Sequence, residues 1–192
     1  MITQKLLHDL IGWPWIIFAI VWLVGALKTN RTRVRESFVS RYGVMLILIA
    51  GFVFIFNDST KIGFLKLRFV PHNLAVDLLG VVLTWLGIAL AIWARFYLGR
   101  NWSARVTIKE DHELIRTGPY AHLRHPIYSG LLLAMAGSAL ETGQWRGLVG
   151  LALVLIGFSL KALKEESMLG QQFGEKFQEH RKHTGFLLPR FR

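Results

Sequence analysis

Apolar residues gather into five stretches along the chain, 10–27, 42–56, 74–94, 126–140 and 147–163, separated by polar connections. One bilayer crossing takes about 20 apolar residues. The first and third stretches meet that length easily. The other three are short, and reach it with help from interfacial aromatic and basic side chains or from local thinning of the bilayer. The pattern therefore predicts an all-α integral membrane protein with five transmembrane helices. Only six residues, 141–146, separate the fourth stretch from the fifth, so these two form an antiparallel helical hairpin. Beyond it, Met168, Leu169, Phe173 and Phe177 recur at helical spacing within an otherwise polar segment. That spacing predicts a last span continuing as an amphipathic tail helix at the membrane surface. In the second connection IGFLKLRFV alternates in a way that suits a strand or an interfacial piece. In the third, RVTIKEDHELIRTG reads as a short extended or turning segment closed by Gly118-Pro119. No linker composition or internal repeat divides the chain. Residues 1–192 are one membrane domain, with three spans in 1–98 and the long loop, hairpin and tail in 99–192.

Composition agrees with this class. Of 192 residues 53% are hydrophobic, with seven Trp and thirteen Phe, too apolar for a soluble domain of this length. The net charge of +11 is unevenly placed. With five spans, eighteen of the 23 Lys and Arg residues fall on one side and five on the other. The positive-inside rule then sets the N-terminus outside and the C-terminus in the cytoplasm, which requires an odd number of spans. Basic residues in short loops beside apolar spans face anionic lipid headgroups, which argues for a bilayer partner and against nucleic acid. The chain has no cysteine, which excludes a disulfide framework, a thiol nucleophile and thiolate metal sites. Residues 1–10 lack a strongly basic start and no small-residue cleavage site follows, so the first span is expected to remain as a span.

Polar chemistry concentrates at two places on the cytoplasmic side. Residues 118–130, GPYAHLRHPIYSG, set Tyr120, His122, Arg124, His125 and Tyr128 against the start of the fourth span, and Glu165 and Glu166 sit where the fifth span ends. The hairpin brings Arg124 and His125 opposite Glu165 and Glu166. Pro126 suits a first helical turn, whose free N–H groups attract an anion. Cationic and acidic groups around a helix start fit a zwitterion such as an amino-acid moiety, with its carboxylate toward Arg124 and its ammonium toward a glutamate. Each residue alone has a plainer reading: Arg124 as a positive-inside anchor, Tyr120 and Tyr128 as interface aromatics, and Glu165 and Glu166 as helix-end charges pairing with Lys161 or Lys164. His122 and His125 have an HxxH spacing, but a proline follows at once and no further ligand motif accompanies them, so no metal is expected. Asp77 reads as an interfacial or paired charge, and Trp85, Trp93 and Arg95 as packing or anchoring groups, with a place in an acceptor tunnel left open. Gly130, Ala134, Gly137 and Ala139 suit close helix contact. It is the combination that favours a site.

The order GPYxxxRHPxYxG, apolar hairpin, EExxLxxxFGxxF and a tail ending in LLP resembles the isoprenylcysteine carboxyl methyltransferase family of integral membrane enzymes, over 99–189. The resemblance implies transfer of a methyl group from S-adenosyl-L-methionine, bound at the cytoplasmic ends of the last two helices, to a lipophilic small-molecule or lipidated acceptor entering from the bilayer. It implies cofactor binding by His112, Leu114, Ile115, Tyr120, His125, Pro126, Tyr128 and Glu165, to which the zwitterion reading of the hairpin ends adds Arg124 and Glu166. Arg105 stands where eukaryotic members have glutamine and Lys161 where they have arginine. These two are the candidates for orienting the acceptor. Late tyrosines of the family's tail are here Phe177 and His180. A carboxylate of the isoprenylcysteine type is the expected acceptor, in a multi-pass protein of a prokaryotic inner membrane with its site facing the cytoplasm. The alternatives are N-methylation of a phospholipid amine and a non-catalytic scaffold or lipid-binding protein. A transporter fits less well, because the ionisable groups cluster at the edge of the membrane and not along a midplane path.

Overall fold

The computed structural model describes residues 4–26, 32–35, 38–99, 107–109 and 114–190. Each apolar stretch is helical: α1 spans Gln4–Ala26, α2 Phe38–Phe56, α3 Leu74–Leu98, α4 Pro126–Thr142 and α5 Trp145–Phe173, with α6 following at Glu175–His183. The helices outrun the apolar stretches at several ends, where polar residues continue the backbone pattern. Two helices, α3 and α5, are long and apolar enough by themselves to cross a membrane. The apolar parts of α1 and α2 are shorter, at Asp9–Gly25 and Tyr42–Phe56.

The most intimate seam is α3 against α4. Gly80, Thr84, Gly87 and Ala91 line one side, and Gly130, Ala134, Gly137 and Ser138 the other. A methyl added at Gly87 would lie 2.4 Å from both the Gly130 carbonyl and the Ala134 nitrogen, and one at Gly130 would lie 2.6 Å from the Gly87 carbonyl. Small residues at seven-residue spacing on both helices let the two backbones touch. Gly130, Ala134 and Gly137 thus have the close contact expected of them, but their partner is α3 and not the hairpin neighbour α5. Helix α5 packs closely on α2 instead, through Gly150, Val154 and Gly157 against Gly51 and Leu48. Successive helices alternate in direction, and α1 runs parallel to α3, tied by Trp85 Nε1 donating to the Leu10 carbonyl (3.0 Å) and Arg95 to that of Gly25 (2.8 Å). Ile88, Met135, Val154 and Phe158 form the common core.

At the end away from the candidate site, buried Arg146 at the start of α5 donates to the carbonyls of Phe54, Ile55 and Asn57 and to Asp58, so it caps the free C-terminal carbonyls of α2. Arg146→Ala is expected to destabilise the protein by about 1–3 kcal/mol through these lost partners, read as a lower thermal midpoint in detergent. IGFLKLRFV forms neither a sheet strand nor a long helix. A 3₁₀ turn at Gly63–Lys66 is followed by two main-chain bonds that clasp the hairpin turn, Phe69 N–H to Gly143 and Trp145 N–H to Leu67.

Two details refine the helical architecture, the first in keeping with the extended reading of RVTIKEDHELIRTG. A two-stranded antiparallel ribbon pairs β1, Thr32–Arg35, with β2, Thr107–Lys109, joining the α1–α2 and α3–α4 connections. Two polar loops at the same end of the bundle satisfy main-chain groups on each other. The tail, in turn, is not one continuous helix. Gly174 adopts φ +51° with ψ −122°, a backbone conformation open to glycine that ends α5 and restarts the chain as α6.

Candidate active site

The third connection returns to the bundle through a 3₁₀ turn at Gly118–Ala121, with Gly118 pressed on the Tyr97 ring. Tyr120 is thereby buried, 7% exposed, and joins the core beside Ile127 and Phe158. Burial, reinforced by the charge of Glu165 and opposed in part by Arg95, pushes its phenol well above the ordinary tyrosine range, so the hydroxyl stays neutral. His125 is the residue before α4, and Pro126 follows as the first helical residue, where its missing N–H costs no bond.

The two expected clusters meet. His125 is buried between the paired carboxylates of α5, with Nδ1 3.5 Å from Glu165 and Nε2 3.3 Å from Glu166. The Tyr128 hydroxyl donates to Glu165, and the Tyr128 ring stacks between His125 (5.6 Å between centroids) and Phe158 (4.9 Å). Lys161, one turn before Glu165 on α5, places its ammonium 5.5 Å from the Tyr128 ring. Ile115 packs against the core and Leu114 is partly buried. His122 is exposed while its HxxH partner His125 is buried. Arg105 and His112 lie outside the described residues.

Arg124 is enclosed by its neighbours. Its guanidinium donates to Glu166 (2.5 Å) and to the carbonyls of Thr184 (2.5 Å) and Arg181 (3.3 Å), and it stands 5.6 Å from the Phe186 ring. Glu166 is also approached by Arg181 at 3.7 Å. The two glutamates therefore differ. Glu166 is 8% exposed at its side chain and surrounded by Arg124, His125 and Arg181, whereas Glu165 is 24% exposed.

Burial alone would lower the His125 pKa, but the hydrogen bonds to Glu165 and Glu166 and the charges of both raise it overall. His180 on α6 shifts the other way, lowered first by burial and then by Arg116 and Arg124. The raised value means that His125 contributes stability fully below the ordinary imidazole value of about 6.5 and loses it as pH rises through the folded-state value. The lowered value means that the His180 contribution is present above about 6.5 and lost as pH falls. Stability should thus peak near neutrality. A thermal-midpoint series in detergent should show the decline above about pH 6.5 vanish in His125→Gln.

Sequence reasoning noted the LLP end of the tail only as part of the resemblance and missed that residues 184–187 pack on the site. Leu123 and Gly185 form a parallel bridge, the Ser129 hydroxyl donates to the Leu187 carbonyl at 2.7 Å, and the Phe186 ring meets His125 edge-on at 5.4 Å. No periodicity marks this segment, whose partners lie some sixty residues earlier. Phe158 was findable, since 158, 162, 165 and 166 share one face of a helix.

Residues 79–171, which enclose Tyr120, the 124–128 cluster and both glutamates, match the model of the isoprenylcysteine carboxyl methyltransferase family. A probable protein-S-isoprenylcysteine O-methyltransferase of Oryza sativa subsp. indica is 31% identical over 117 residues, 59% of this chain and 61% of the rice protein. The protein-S-isoprenylcysteine O-methyltransferase of Schizosaccharomyces pombe is 33% identical, over 54% of this chain and 45% of the yeast protein. That of Saccharomyces cerevisiae is 28% identical over 84% of this chain and 71% of its own length. The chain thus spans less than two-thirds of the length of the first two relatives. A solved structure of a eukaryotic intramembrane Ras methyltransferase, an isoprenylcysteine carboxyl methyltransferase, superposes with a TM-score of 0.57 at 23% identity, over 80% of this chain and 54% of that one. This last likeness shows the fold. Over 79–171 and along these relatives, the chain is similar to the isoprenylcysteine carboxyl methyltransferase family.

Proposed function

We propose that the protein is a multi-pass membrane methyltransferase that moves a methyl group from S-adenosylmethionine to the carboxylate of an isoprenylcysteine-type acceptor. One observation carries the reading: the ends of α4 and α5 bring Tyr128, His125, Glu165 and Lys161 into one mixed-charge cluster beside a buried neutral tyrosine. That donor set suits the cofactor. Glu165 accepts hydrogen bonds from an ammonium or ribose hydroxyl groups, Tyr120 and Tyr128 line the pocket, and Leu114 and Ile115 complete its wall. When bound, the cofactor supplies an electrophilic methyl on a sulfonium, displaced in line by the acceptor.

The protein's own work is alignment and exclusion of water. Lys161 and Arg105 supply positive charge to orient a carboxylate. A carboxylate needs no base, whereas a protonated amine must first lose a proton. His125, held between two carboxylates with its charged form favoured, is poorly suited to take that proton. This favours the carboxylate over a phospholipid amine. Five spans, an outside N-terminus and a site at the cytoplasmic face complete the reading, supported by the alternating helix directions and by the eighteen basic residues assigned to the site end.

Membranes containing the protein, given methyl-labelled cofactor and N-acetyl-S-farnesylcysteine, should yield a base-labile methyl ester. Base-stable label in phospholipid would instead establish amine methylation. Lys161→Ala should raise the KM for the farnesylated acceptor about tenfold, the cost of one charge-assisted contact, while leaving the KM for the cofactor within about twofold.

A further inference from the structure

The chain after α6 is a strap laid across the site. Thr184 to Leu187 cross the entry of α4. The Gly185 N–H donates to the His122 carbonyl (3.0 Å), the Arg124 N–H donates to the Gly185 carbonyl (2.9 Å), and Ser129 reaches the Leu187 carbonyl. Thr184 is 3% exposed, and its hydroxyl closes back on the His180 carbonyl (2.7 Å). A side chain on Gly185 would run into the Leu188 carbonyl, so this turn admits only glycine. The three bonds to residues 122–129 lie within a few residues of Arg124, whose guanidinium joins the strap carbonyls to Glu166.

The geometry points to Arg124 as a positioning residue, not a ligand for the cofactor's carboxylate: it ties the 184–187 strap to Glu166, fixing Glu166 and His125 so that the more open Glu165 and Tyr128 face the ligand. One carboxylate and two carbonyls already engage Nε and Nη1, so only Nη2 is left and a second carboxylate cannot be gripped by the two-nitrogen fork. Phe186 completes the tether, edge-on to His125 and beside the Arg124 guanidinium, so strap and site cannot move independently. In sequence the same arginine is indistinguishable from a cofactor anchor. Its enclosure by the strap makes the difference.

The inference rests on the methyltransferase reading, and the experiment separates the two. Binding of S-adenosylmethionine and of decarboxylated S-adenosylmethionine, which differ only in the carboxylate, is measured for the full-length wild type, Arg124→Ala, Arg124→Lys and Phe186→Ala, together with trypsin cleavage at Arg181 and Lys182. A positioning role predicts that Arg124→Ala weakens both ligands by the same factor, about tenfold to a hundredfold. Cleavage should accelerate in parallel, Arg124→Lys should restore part of both, and Phe186→Ala should reproduce the pattern more mildly. Loss confined to the carboxylate-bearing ligand, with cleavage unchanged, would overturn it. If the wild type binds neither ligand, the methyltransferase reading falls, while the cleavage comparison still decides whether Arg124 holds the strap.

Discussion

Glu165→Ala is expected to abolish measurable methyl transfer while leaving a folded protein. The carboxylate accepts from the Tyr128 hydroxyl, lies 3.5 Å from His125, and is the more exposed of the two glutamates. Hydrogen bonds to a charged group contribute about 1.5–3 kcal/mol each, so losing even one such contact to the cofactor weakens binding by roughly ten- to a hundredfold. Tyr128 would also lose its anchor and the stack on Phe158 its register. Glu166→Ala should behave differently. It strips the shared partner from Arg124, His125 and Arg181, so stability should fall steeply, and the affinity loss should be the smaller, indirect one that follows from freeing Arg124 and the strap. Removing one partner from a buried pair costs about 3–5 kcal/mol. Parallel thermal scans and cofactor titrations on the two variants check this division. Equal stability loss with equal affinity loss would remove the distinction drawn between the two glutamates.

Gly87→Leu should prevent accumulation of folded protein. A first side-chain carbon at Gly87 already lies 2.4 Å from main-chain atoms of α4, so α3 and α4 must separate to admit it. Overpacking of a well-packed contact costs about 1–3 kcal/mol, and a leucine wedged against backbone exceeds one added methylene several-fold. Gly12→Ala is the matched control. Its added methyl meets nothing within 4 Å, and the change should stabilise α1 by about 0.5–1 kcal/mol. Fluorescence-detected size exclusion from detergent reads both, with the Gly87 variant lost from the monodisperse peak and the Gly12 variant retained.

The stability of this seam was half legible in the sequence. Gly130, Ala134 and Gly137 announce a close helix contact by their spacing, but Gly80, Thr84, Gly87 and Ala91 supply the other half, and nothing local to α4 says that α3 supplies it. The positions of α1 to α5 were legible because long apolar runs bounded by polar residues have few alternatives to helix. The ends were not, since polar residues such as those after Leu163 continue α5 until Gly174 breaks it. The pairing of His125 with Glu165 and Glu166 followed from one short turn, 141–146, which forces the hairpin. The role of the strap did not follow, because Thr184, Phe186 and Leu187 owe their positions to main-chain bonds with residues 122–129, and such bonds leave no pattern in side-chain type.

Binding of S-adenosylhomocysteine to the detergent-purified wild type, measured calorimetrically with Glu165→Ala as a fold-checked control, tests the central claim most directly. Saturable binding that is lost in the variant is the result predicted by a cofactor site at the ends of α4 and α5. A folded wild type that releases no heat with the ligand, in detergent and again in lipid, would contradict it and leave the polar cluster as a fastening for the hairpin alone.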